Sequence, residues 1–398
     1  MPKTIQAVEQ AANLKIYTPQ LDRLEKKLLE WEEQNQFQTL VIKATRYGVP
    51  IFEGCYGMNT KEYGVKMDLI FPVASITKTV IATLLMILQE EGCIELEKPV
   101  SRYIPEYVGG GKEKISLWHF LTHTSGIIDG EFYNTANEYV KDELKIERPD
   151  NNASQDDWND YNSKIKKALE LPDDFNDDKL WNIILYRGGT VQHEPRKVMS
   201  YCSHGFQMLK EVICAVTGES IDAYARRVLF DPLGMVDSHW IVPEEKWHRI
   251  LGRGEHCEGY PWINSERNYT SESGGGGLKT TVNDMTNFAQ MILGGGRYNN
   301  HRILSPASVR QMTANYNIDF PNLWDAWSLG WNYRGAKVDD AGTLRSKGAV
   351  EHGGFAWHRI LVDPEYDLSV ITNTAEYGYP DFFPYWGTVN NMIIAACE

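Results

Sequence analysis

Ser75-Ile76-Thr77-Lys78 runs directly into the apolar stretch Thr79-Val80-Ile81-Ala82-Thr83-Leu84-Leu85-Met86-Ile87-Leu88. Residues three apart share a helix face, so the Lys78 ammonium can reach the Ser75 hydroxyl. A serine hydroxyl is a poor nucleophile until a neighbouring group activates it. A lysine at the start of an apolar helix is desolvated, which disfavours its charged form and suits it to accept a proton. The pair has the chemistry of a nucleophile and its base. The same spacing recurs at Ser163 and Lys166, but in a polar, charged segment (Asp156 to Asn162) with no apolar run behind it. That copy reads as a solvated helix face.

Three other segments carry groups of the right kind. Tyr201-Cys202-Ser203 opens a helical stretch. A phenol beside a Ser-Lys pair can act as general base and later as acid to a leaving group; taken alone, Tyr201 reads equally well as core. His352-Gly353-Gly354-Phe355 precedes an apolar strand. Two glycines let a substrate approach the backbone, and backbone N–H groups there can hold an oxyanion; taken alone, the segment is a tight turn. His123-Thr124-Ser125-Gly126-Ile127 reads by itself as the turn that ends a helix.

Together and in this order, these segments resemble the serine β-lactamase and penicillin-binding-protein superfamily. The likeness is closest to its class C branch, with family VIII carboxylesterases, D-aminopeptidases and related amidases. Ser75 to Lys78 match the Ser-x-x-Lys motif, Tyr201 to Ser203 the Tyr-x-Asn element, and His352 to Gly354 the Lys-Thr-Gly triad. Gly92 to Tyr103, Phe120 to Gly126, Thr217-Gly218, Pro232 to Met235, Gly275 to Leu278 and Leu329 to Trp331 extend the likeness along most of the chain. Residues 131–190 have no counterpart.

The resemblance implies an α+β fold, an α/β sandwich with a mainly antiparallel sheet built from both chain ends, and an inserted, mostly helical domain. Residues 1–100 and 271–398 would form the sheet domain and 101–270 the insertion. It also implies a serine hydrolase that forms an acyl-enzyme at Ser75 and cleaves esters or small amides. Lys78 and Tyr201 would share the proton work, with the identity of the base open. The N–H groups of Ser75 and Phe355 would hold the oxyanion, and His352, Gly353, Gly354, Phe355 and Ser203 would line the substrate. The same chemistry serves a β-lactamase or DD-peptidase, an acyltransferase, or a sensor that stays acylated. Two departures bear on the choice. Ser203 stands where the family's asparagine helps hold a substrate amide, and His352 stands where a lysine offers a fixed charge to a substrate carboxylate. A histidine is only partly charged at neutral pH. Trp357-His358 follow where small residues are expected, which predicts a crowded pocket mouth.

The elements that must position these groups are legible in the pattern. Residues 18–36 read as a charged amphipathic helix through Leu21, Leu24, Leu28, Leu29 and Trp31. Residues 39–45 and 49–56 read as a hairpin around Tyr47-Gly48. The Ser75 helix should stop at Gly92. Further helices are expected over about 203–216, from Ser220 through Arg227, and over 282–293, with strands at 329–333, 359–362 and 368–373. Residues 131–180, rich in Asp, Asn and Lys, read as an insertion with some helix.

Composition narrows the classes. The chain has 398 residues, 42% hydrophobic and 24% charged, with a formal net charge of -14. That excess of acid argues against nucleic acid as the main partner. The first ten residues lack the apolar core of a secretory signal, and the longest apolar run is too short to span a bilayer. A cytoplasmic protein with no membrane contact is expected. The six cysteines (55, 93, 202, 214, 257 and 397) show no C-x-x-C pair, which argues against zinc and for reduced thiols. No cofactor is expected, a small ester or amide is the expected partner, and the oligomeric state is open. Serine-histidine-aspartate and metal-dependent hydrolysis lack their motifs: there is no Gly-x-Ser-x-Gly elbow and no His-Glu-x-x-His.

Overall fold

The two β-branched runs around Tyr47-Gly48 form β1 (Thr39–Arg46) and β2 (Val49–Gly57). Tyr47 and Gly48 lie at φ 50° and 73°, the left-handed pair that a tight hairpin turn requires. The computed structural model describes residues 13–150, 153–252, 265–317, 320, 326–334, 341–375 and 383–398. Cys257 and the first twelve residues, on which some of the sequence expectations rest, lie outside them.

Four later strands complete the sheet: β3 (Asn332–Tyr333), β4 (Val350–Gly354), β5 (His358–Asp363) and β6 (Leu368–Thr374). The spatial order is β2-β1-β6-β5-β4-β3, and each neighbouring pair is antiparallel. The N-terminal strand β1 lies beside β6 from the far end of the chain, with Leu40 opposite Thr374. The sheet is therefore mainly antiparallel and built from both ends, as expected. The sequence alone suggests a tight turn at His352 to Phe355, yet His352, Gly353 and Gly354 are the last three residues of the strand β4. Val-Glu-His-Gly-Gly carries little β propensity; its neighbours on both sides supply the pairing.

Strand alternation gives the sheet two apolar faces. On one, Leu40, Ile42, Ala44, Leu361, Leu368 and Val370 pack with Leu21, Leu24, Leu28 and Trp31 of the helix Thr18–Glu33 and with Val389, Ile393 and Ile394 of the C-terminal helix Phe383–Ile394. On the other lies the helix Val282–Leu293, whose Asn283 accepts from Lys43 Nζ at 2.9 Å and whose Gln290 Nε2 donates to Thr45 Oγ1 at 2.6 Å. Covering both faces is what lets β6 be buried along its whole length.

The chain divides into two compact units: residues 1–94 with 217–398, and residues 95–216. The second unit ends well before residue 270, the end expected of the insertion. Residues 217–252 cluster with the sheet because His239 forms a bridge to Lys279 and Asp284 accepts from Asp237 N at 2.8 Å. In the second unit, residues 129–188 consist mostly of three helices, Asp129–Asp142, Gln155–Ala168 and Asp177–Gly188. The first and third pack closely at glycines: a Cβ on Gly188 would meet Tyr139 Cβ at 2.4 Å. Among the described residues, no helix is long and apolar enough to cross a membrane, and no cluster of His, Cys, Asp or Glu could hold a metal ion.

Candidate active site

Ser75 sits in a single 3-10 turn, Ala74–Ile76, which precedes the helix Thr77–Glu90. The serine is thus displaced from the helix proper and presented at its mouth. Ala74 adopts φ 48°, a left-handed conformation that costs a non-glycine residue roughly 1–2 kcal/mol and persists only where neighbours hold it. Thr77 Oγ1 supplies one such hold by donating to Ala74 O at 2.6 Å.

Lys78 is fully buried in the first turn of the helix. Its Nζ lies 3.1 Å from Ser75 Oγ and donates to Gly275 O at 2.6 Å. The spacing expected from the sequence is realised, and one backbone carbonyl joins it. The other Ser-x-x-Lys copy behaves differently: Ser163 is exposed on the helix Gln155–Ala168, and Lys166 Nζ donates to Asp173 O at 3.1 Å.

The same unit holds the histidine-glycine segment. β4 runs beside β5 with His352 opposite Ile360, Gly353 opposite Arg359 and Gly354 opposite His358. Gly354 is required: a Cβ there would lie 2.2 Å from Val73 O, two residues before Ser75. A Cβ on Gly353 would lie 1.7 Å from an Arg359 guanidinium nitrogen, the movable end of a flexible side chain, so only Gly354 meets a main-chain obstacle. His352 is 2% exposed, its Nδ1 lies 2.8 Å from Gly353 O, and its ring centroid is 5.4 Å from that of Trp327. Burial, with the Lys78 charge next in weight, pushes its pKa down to about 3. At neutral pH the imidazole is uncharged. The ring is then a hydrogen-bonding group and not a cation.

The hairpin after Gly354 places Ala356 and Trp357 both at φ 67°. Trp357 packs on the sheet core, and His358 is buried with its ring 5.8 Å from that of Phe71. Phe355, at 44% exposure, is the aromatic of this hairpin that remains at the surface.

Tyr201 and Ser203 belong to the second unit. The Tyr201 ring lies against that of His123 with centroids 4.5 Å apart and planes tilted by 31°, and His123 itself adopts φ 56°. His123 Nδ1 accepts from Cys202 N at 3.0 Å, and His123 O accepts from Ser200 N at 2.9 Å. The His123-Thr124-Ser125-Gly126 turn is therefore the platform on which the tyrosine rests. Ser203 begins the helix Ser203–Thr217. The carboxylate of Asp129 caps it, accepting from Ser203 N at 2.6 Å, His204 N at 3.4 Å and Cys202 Sγ at 3.1 Å. A carboxylate at a helix N-terminus is stabilised by the unpaired N–H groups and the helix dipole. Burial and the Asp129 charge push the Cys202 thiol well above its usual range, so this cysteine is an inert packing group. Asp129 escaped the sequence reading, and Gly275 entered it only within the Gly275 to Leu278 likeness, with no role attached. Nothing local ties residue 129 to 203 or 275 to 78.

A serine-bearing turn of this kind, followed by a lysine-bearing helix and flanked by a glycine-rich strand of an antiparallel sheet, is the arrangement of the serine β-lactamase and penicillin-binding-protein superfamily. The Beta-lactamase family model matches residues 21–387, and the chain belongs to that family. It is similar to Esterase EstB of Burkholderia gladioli, 24% identical over 365 residues that cover 84% of this chain and 85% of the esterase. It is also similar to Penicillin-binding protein 4 of Amycolatopsis lactamdurans, 26% identical over 323 residues, 78% of this chain and 73% of that protein. Among solved structures, EstCE1, a hydrolase with promiscuous acyltransferase activity, superposes with a TM-score of 0.70 at 17% identity, over 94% of this chain and 98% of its own.

Proposed function

We propose that Ser75 is the nucleophile of a hydrolase that cleaves short, uncharged acyl esters through an acyl-enzyme. The chain is a serine hydrolase acting on esters or amides, of the β-lactamase type. The observation that carries the assignment of the nucleophile is the 3.1 Å contact between Lys78 Nζ and Ser75 Oγ at the start of an apolar helix. Ser75 Oγ attacks the carbonyl carbon. Its proton passes to the set formed by Lys78 and Tyr201, which returns it to the leaving group, and water then cleaves the acyl-enzyme. The N–H groups of Ser75 and Phe355 hold the oxyanion. Gly353 and Gly354 stand in the family's Lys-Thr-Gly position beside the substrate, with Ser203 on the amide-holding position of the family pattern.

The neutral His352 favours esters over β-lactams and peptides that end in a carboxylate, because no fixed cation stands at that position. The esterase among the relatives supports this preference, and the penicillin-binding relative supports the opposite one. Intact-mass spectrometry decides between them. The protein is mixed with p-nitrophenyl butyrate, a D-alanine amide and a cephalosporin, and the adduct on the Ser75 peptide is followed over time. Fast acylation and release with the ester alone is expected. A lasting adduct with the cephalosporin, and none with the ester, would reverse the reading.

A further inference from the structure

Thr77 is a β-branched residue inside the Ser-x-x-Lys motif, fully buried, and it has no part in the proton transfers described above. Its hydroxyl is used twice. It donates to Ala74 O at 2.6 Å and accepts from Leu278 N at 3.0 Å. Leu278 O in turn accepts from Val73 N at 3.1 Å. Both backbone polar groups of Leu278 are thus taken by the turn that carries Ser75. One residue further along, the short strand Lys279–Thr280 pairs antiparallel with Phe71–Pro72, with Pro72 opposite Lys279. The Thr77 hydroxyl therefore extends a two-strand ladder beyond the point where the chain turns away at left-handed Ala74.

The other end of the same glycine segment holds the base. Gly275 O accepts from Lys78 Nζ at 2.6 Å, three residues before Leu278. That carbonyl takes one N–H of the Lys78 nitrogen and so restrains its orientation, and the serine oxygen lies 3.1 Å away on the same nitrogen. We infer that Thr77 is a positioning residue: by tying Ala74 to Leu278 it locks the serine turn to the segment whose Gly275 carbonyl aims Lys78, and so fixes the Ser75–Lys78 geometry. This rests on the assignment of Ser75 as nucleophile. A base aligned poorly with its nucleophile loses rate while substrate binding is kept, so the residue acts on kcat rather than KM.

Thr77→Val keeps the shape and removes the hydroxyl, and Thr77→Ser keeps the hydroxyl and removes a methyl. Thr77→Val is expected to lower kcat on p-nitrophenyl butyrate, and the rate of phosphonate labelling at Ser75, by about ten- to a hundredfold with KM nearly unchanged. Thr77→Ser is expected to restore most of both. Amide hydrogen exchange at Leu278 should quicken in the valine variant and return to the native rate in the serine variant, which reports the tie without reference to activity. Wild-type kcat in Thr77→Val, or equal loss in both variants together with a lowered melting temperature, would overturn the inference and leave Thr77 as packing. Should the phosphonate not label Ser75 of the unmodified protein while Leu278 exchange still answers to Thr77, the nucleophile assignment fails and the tie alone survives.

Discussion

Gly354 and Val73 touch backbone to backbone: a Cβ on Gly354 would sit 2.2 Å from the Val73 carbonyl oxygen, with the neighbouring contact to Val73 C at 3.2 Å. The strand that bears His352 is thereby pressed against the peptide that leads into Ser75. Gly354→Ala cannot be absorbed by a side-chain rotation, because the obstacle is main chain. It is expected to lower the melting temperature by several degrees, equivalent to about 1–3 kcal/mol of overpacking, and to reduce turnover by more than its stability loss explains. Calorimetry and esterase kinetics on the same preparation check it. Unchanged turnover in a destabilised variant would show that the contact is structural only.

Ser75, Lys78 and Tyr201 should respond to mutation as one unit. Ser75→Ala is expected to cost several powers of ten in kcat. Lys78→Ala and Tyr201→Phe should each remove most activity, and the double variant should be little worse than either, because coupled catalytic groups are strongly non-additive. Rate losses that simply multiply would mean that the lysine and the tyrosine act independently.

Asp129 carries the approach to Tyr201 without belonging to any motif. Asp129→Ala strands the N–H groups of Ser203 and His204 and the Cys202 thiol, all of which donate to that carboxylate. The expected loss is about 1–3 kcal/mol, the typical cost of a buried donor left without its acceptor. Asp129→Asn retains one oxygen acceptor and should recover part of it. Chemical denaturation of the three proteins tests the order, and an alanine variant as stable as the wild type would contradict it.

The buried histidines set a pH dependence whose sign follows from linkage. His352 and His204 both have pKa values pushed down to about 3 by burial, against an unfolded value of about 6.5. Between those limits the unfolded chain binds protons that the folded chain refuses. Stability therefore rises with pH over that window: it is lost progressively as pH falls from about 6.5 towards 3 and does not depend on these groups above it. Urea unfolding between pH 4.5 and 7.5 should show the slope, and His352→Gln should reduce it. The same residue bears on substrate choice. His352→Lys is expected to improve use of acyl donors with a free carboxylate relative to neutral esters, read as the ratio of the two kcat/KM values. No change in that ratio would remove residue 352 from substrate selection.

The sequence by itself determined the local pieces. Ser-x-x-Lys before an apolar run sufficed to place a lysine beside a serine, since the 3-10 turn that leads into the helix also brings i and i+3 to one side. Period-two and period-3.6 patterns located β1, β2, β6 and the helices Thr18–Glu33, Thr77–Glu90 and Val282–Leu293, and Gly92 and Gly218 stop their helices at φ 73° and 72° as expected. The tertiary structure decided what depends on chain segments far apart. β4 is a strand only because β3 and β5 flank it, and Gly354 is needed only because Val73 lies against it. Gly275 meets Lys78 across 197 positions and Asp129 meets Ser203 across 74, distances over which no local pattern carries information. The charge of His352 is a matter of burial, and burial belongs to the assembled fold: the sequence supplied a titratable ring, and the packing around it removed the proton.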